Sequence, residues 1–107
     1  MQYEITAIVP FPGHPLSWGS GPHFEFERRL VREFGGFTAL DGLGAYRDGK
    51  GEGSDEEVRV YTVLFTPSPG EAIEGIIMRW QEAIIREFRQ HAAYVTAREV
   101  LGGIKVA

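Results

Sequence analysis

The residues of this 107-residue chain that could do chemistry are three histidines, one lysine set among glycines, and a short acidic run. His14, His23 and His91 do not stand at i,i+4 or H-x-E spacing, and no carboxylate sits at ligand spacing beside them. A zinc site built on imidazoles needs such a set, so no metal is expected. Gly44-Ala45-Tyr46-Arg47-Asp48-Gly49-Lys50-Gly51 comes close to a phosphate-binding loop. That loop needs a hydroxyl after the lysine to hold magnesium and a helix N-terminus behind it. Gly51 takes the hydroxyl's place and Glu52-Gly53 starts no helix. Gly42-Leu43-Gly44 likewise lacks the third glycine and the helix of a dinucleotide fingerprint. Glu52, Asp55, Glu56 and Glu57 do not follow the alternate-ligand spacing of a calcium loop. With no cysteine, thiol nucleophiles, zinc ribbons and iron–sulfur clusters are excluded. No catalytic set and no cofactor is expected.

One stretch keeps a chemical possibility. Pro12 to His23 combines glycines, prolines, Trp18 and two histidines just ahead of a helix. Free backbone N–H groups at a helix start favour an anion, and Trp18 and His23 could stack on a planar ring. Trp18, Ser20, Gly21 and His23, with Arg28 and Arg32 on the same helix, form a candidate cradle for a small anionic ligand. The competing reading is a structural loop with Trp18 folded over the sheet edge.

The elements that must position these residues follow from periodicity. Tyr3–Val9 is rich in β-branched residues and closes at Pro10-Phe11-Pro12-Gly13. Ser20 or Gly21 as cap and Pro22 at the first position open a helix over His23–Phe34. Its apolar face is drawn from Phe24, Leu30, Val31 and Phe34, with Glu25/Arg29 and Arg29/Glu33 spaced for pairing on the wet side. Gly35-Gly36 stops it. Phe37–Tyr46 reads as a strand, Arg47–Asp55 as a hairpin loop, and Glu57–Thr66 as the clearest strand of the chain. A second helix opens with Ser68 as cap and Pro69 in its first turn. Its core stripe is Ile73, Ile76, Ile77, Trp80, Ile84 and Phe88. A last strand spans about Ala92–Leu101. The order βαββαβ predicts a single α+β domain over residues 1–107, a ferredoxin-like sandwich with two helices on one face of a four-stranded antiparallel sheet.

Such a sheet leaves its other face open. In the strand after the hairpin, Val58, Val60 and Leu64 are expected to face the helices and Tyr61, Val63 and Phe65 to face out, joined by Tyr94 and Thr96. Met78 and Ile85 lie off the core stripe of the second helix. Tyr61, Val63, Phe65, Met78, Ile85 and Tyr94 are therefore the candidate interface, with a homodimer or higher homo-oligomer as the expected assembly.

Phe34-Gly35-Gly36-Phe37-Thr38, Gly42-x-Gly44-x-Tyr46, Gly49 and the acidic run into Val58-x-Val60 resemble a group of small bacterial and phage proteins. That group shares an F-G-G-[FY]-T turn and a G-x-G-x-[WY] strand. The resemblance covers about residues 30–66 and implies the ferredoxin-like fold; it carries no catalytic residues. A net charge of −4 disfavours nonspecific nucleic-acid binding. No run approaches the roughly 18 apolar residues of a membrane span, and no basic, apolar leader opens the chain, so a cytoplasmic protein is expected.

The leading functional expectation is a non-enzymatic binding or regulatory domain that captures a small anion or a protein, a phage or mobile-element inhibitor being one form of it. Two alternatives stand beside it. One is a cofactor-free enzyme resembling dimeric α+β-barrel monooxygenases and isomerases, with His14, His23 or His91 in an apolar cavity. The other is a structural assembly subunit.

Overall fold

The sequence alternates between two periods, and each change of period marks a change of element. The computed structural model describes residues 1–10, 21–47, 53–90 and 93–101. Its elements are β1 (Gln2–Pro10), α1 (Gly21–Phe34), β2 (Thr38–Arg47), β3 (Gly53–Phe65), α2 (Ile73–Glu87) and β4 (Tyr94–Val100). The strands form one antiparallel sheet in the order β2-β3-β1-β4. This is the α+β ferredoxin-like arrangement that the βαββαβ order predicts.

The helices are held by their apolar stripes. Phe26 and Leu30 of α1 and Ile76, Trp80 and Ile84 of α2 are buried against Ile5, Ala7, Val9, Tyr61, Val63 and Val95 of the sheet. The rings pack edge to face: Phe26 meets both Tyr61 (5.2 Å) and Trp80 (5.7 Å), and Phe34 meets Phe65 and Trp80. The α1 stripe is therefore turned from the expected one. Phe26 is its centre, whereas Val31 is half exposed. Arg29 does not pair along its own helix; its guanidinium donates to Glu87 of α2 at 2.7 Å, tying the two helices together. Glu25 has Arg28 at 3.9 Å instead.

Helix ends follow local backbone chemistry. Gly35 sits at φ +84° and donates to the Val31 carbonyl at 2.9 Å, a left-handed residue closing α1. α2 begins later than Ser68 and Pro69 suggest. Those residues lie in a turn in which Glu71 N–H donates to Ser68 O and Gly70 adopts φ +83°. The cap is Ala72, without a side-chain bond. At the other end Arg89 stands at φ 53°, and Gln90 N–H closes the terminus on Ile85 O at 3.1 Å. A non-glycine residue there carries a steric cost.

Candidate functional site

Where β1 ends, α1 begins and the β2–β3 hairpin leaves the sheet, five polar side chains meet. Glu27 lies on the inward side of α1, one helical turn after His23. Arg59 and Tyr61 lie on the helix-facing side of β3, and Asp41 sits opposite Arg59 on β2. The Arg59 guanidinium is buried. Its Nε and Nη2 donate to the two carboxylate oxygens of Asp41 at 2.6 and 3.1 Å, and Nη1 donates to Glu27 Oε2 at 3.2 Å. The Tyr61 hydroxyl donates to the same Glu27 oxygen at 2.8 Å. Glu27 and Arg59 side chains are only 8% and 6% exposed, whereas Asp41 is 56% exposed. The cluster thus runs from the core to the surface.

Each group is tuned by its neighbours. The bond to Arg59 holds the Asp41 carboxyl below its ordinary range, and that same bond raises Arg59 further. Burial, then the Glu27 carboxylate, pushes the Tyr61 phenol up, so it remains a protonated donor across the neutral range. His23 Nε2–H donates to the Pro10 carbonyl at 2.7 Å, and its ring stands edge-on to Phe88 at 4.6 Å. Burial lowers the imidazole, with the Arg59 charge adding to it and the Pro10 bond opposing. His23 is therefore a neutral pin between the end of β1, α1 and the end of α2.

Beside this pin lies a shallow groove of about 330 Å³ lined by Ile8, Val9, Pro10, Val58, Ile84, Ala93 and Tyr94, with Glu56 and Gln90 its polar lining. Among the described residues this lining is mostly apolar and holds no cationic side chain.

Of the expected anion cradle, His23, Arg28 and Arg32 have described side chains. Trp18 and Ser20 lie outside the described residues, as do His14, His91 and the Asp48-Gly49 turn, and of Gly21 only the backbone belongs to α1. His23 turns inward to Pro10. Arg28 lies about 140° around the helix from it and Arg32 about 180°, the latter roughly 13 Å along the axis. Both arginines are exposed, Arg28 beside Glu25 and over the Phe24 ring at 5.6 Å. Among the described residues, no group of three or more histidines and carboxylates is placed to hold a metal ion.

The β3 interface residues need a correction. Tyr61, Val63 and Phe65 face the helices, with Tyr61 fully buried and Val63 nearly so. A strand offset of one residue exchanges the two faces completely, and here the set containing Arg59 faces inward because Glu27 and Asp41 satisfy its charge. Tyr94 does face outward, and Met78 and Ile85 are exposed on α2.

The outer face has its own order. Register places Leu40, Val60, Ile8 and Tyr94 in one row across all four strands, and Thr38, Thr62, Thr6 and Thr96 in the next. A third row carries Leu64, Glu4 and Arg98, the last two ion-paired at 3.0 Å. The large apolar residues at the two edges stand well out, Leu40 at 67% and Tyr94 at 57% exposed.

Sequence reasoning missed Glu27, Asp41 and Arg59. The signal for Glu27 was present, since His23, Glu27, Leu30 and Phe34 lie along one side of α1. For Arg59 the sequence carries no sign that a charge belongs inside. Among the described residues no helix is long and apolar enough to cross a membrane. No protein-family profile matches the chain, and no curated protein sequence matches it.

Proposed function

We propose that the chain is a non-enzymatic binding domain whose working surface is the outward face of its sheet from Leu40 across to Tyr94; toward the hairpin the same face is covered at Val58, which is buried. The observation that carries this is the apolar row Leu40–Val60–Ile8–Tyr94, which crosses every strand on the side away from both helices. Soluble domains seldom leave such a row in water unless it meets something. The polar cluster supports the same reading: Arg59 bonds Asp41 and Glu27, and Tyr61 bonds Glu27, so these groups serve to hold α1 on the sheet. A cytoplasmic setting fits the cysteine-free composition.

The test is the fold's indifference to that row. A Leu40→Glu/Tyr94→Glu double variant, unfolded by urea below about 1 µM chain, should lie within about 1 kcal/mol of the parent, because each exposed position contributes at most about 0.5 kcal/mol. A loss above about 2 kcal/mol would mean that the row is core, covered by another part of the same chain, and would end this reading.

A further inference from the structure

We infer that the partner for the open sheet face is a second copy of this chain; the inference rests on reading that face as a binding surface. Four considerations lead there. The first is size. Four strands about 4.8 Å apart, carrying three outward rows about 6.8 Å apart, cover roughly 19 by 20 Å in plan. With side-chain relief, two such faces reach about 1,200 Å², where specific interfaces begin.

The second consideration is charge. The chain carries net −4, yet within these three rows Glu4 is matched by Arg98 and the remaining residues are neutral; the outward Glu56, opposite Gly44, lies two rows beyond them toward the hairpin. A face that meets its own twin cannot carry a net charge without repelling it, whereas one shaped for a charged partner would carry the opposite sign.

The third is symmetry. An isologous contact requires a patch complementary to itself. The row reads Leu40, Val60, Ile8, Tyr94 from edge to edge. Reversed about an axis parallel to the strands, it sets the exposed leucine of one edge against the exposed tyrosine of the other and the two central aliphatics against each other. The fourth is packing mode: aligned sheets stack face to face at about 10 Å with rows of this kind between them.

Sedimentation equilibrium of the intact chain from about 1 to 200 µM reads the result. The weight-average mass should rise toward twice the chain mass within that range, as expected for an interface at the lower size limit. The Leu40→Glu/Tyr94→Glu variant, or Leu40→Ser/Tyr94→Ser should the charged one fail to fold, should associate at least ten-fold more weakly. Raising NaCl from 0.05 to 0.5 M should shift the parent's dissociation constant by less than about three-fold, since exposed charges do not carry the contact. A parent that stays monomeric at 200 µM overturns the inference. So does association that the double variant leaves undiminished, which would place it on another surface such as that of Met78 and Ile85. Failure here and failure of the binding-face reading are distinct: a monomeric parent with an equally stable variant removes only the second copy, whereas a destabilised variant removes the face itself.

Discussion

Replacing Arg59 by methionine is the sharpest perturbation of the buried cluster. The substitution keeps the apolar stem but removes the charge that Glu27 faces at 3.2 Å. Glu27, 8% exposed, then keeps only the Tyr61 hydroxyl at 2.8 Å. Breaking a buried pair from one side costs about 3–5 kcal/mol, because the remaining charge is left without its partner. The bidentate pair with Asp41 adds little, at most about 1 kcal/mol, since that carboxylate is 56% exposed and screened by water. A loss of about 4 kcal/mol is a large part of the 5–15 kcal/mol typical of a domain and corresponds to a fall in melting temperature of about 18 °C. The assay is urea unfolding at pH 7, followed by circular dichroism. The decisive arm is the double variant Arg59→Met/Glu27→Gln. With no charge left in the core it should be more stable than Arg59→Met alone by about 2 kcal/mol, because the penalty lies in the stranded carboxylate. If Arg59→Met costs less than about 1 kcal/mol, or if the two substitutions simply add, the cluster does not have the energetics argued for it.

Arg89→Gly should raise stability by about 0.5–1 kcal/mol in the same assay, because glycine takes the φ 53° position without a Cβ conflict. Phe26→Ala should cost about 3–5 kcal/mol, since this ring packs on Tyr61, Trp80 and Phe88 together. His23 has a folded pKa below its ordinary 6.5, so the unfolded chain takes up the proton first. Stability should therefore be full above pH 6.5 and fall on acidification below it. His23→Gln, which can still donate to Pro10, should flatten that slope. Tyr61 has the opposite sign: its raised pKa makes stability full below pH 10 and lost above it, and Tyr61→Phe should remove this alkaline limb.

The elements were legible because their periods are strong. β3 alternates over its second half, from Arg59 to Leu64, and Gly35-Gly36 marks a helix end that only a left-handed residue completes. The faces were less legible. In β3 both alternating sets are rich in large apolar residues, so burial alone cannot choose between them, and the charge of Arg59 argues for the wrong side. The choice depends on Glu27 and Asp41, which lie 32 and 18 positions away in sequence. No local pattern contains that information.

That dependence suggests what the cluster contributes. A buried ion pair is weak evidence for stability, since well-packed apolar residues of similar size often do as well. Its value is discrimination between structures that hydrophobic burial scores almost alike. A slip of β3 by one residue would bring Val60 or Thr62 beneath Phe26 in place of Tyr61 and turn Val58 and Leu64 inward with it, a set that is still largely apolar. It would also carry Arg59 to the open face, away from both carboxylates, leave Glu27 buried with no cation, and take the Tyr61 hydroxyl with it. The slipped sheet would lose little hydrophobic energy yet strand a charge in its core. It would also turn the alternate set of side chains outward, replacing Val60 with an aromatic or charged neighbour in the row that now reads Leu40, Val60, Ile8, Tyr94. The inward charges therefore fix the parity of β3, and through it the composition of the surface on which the proposed association depends.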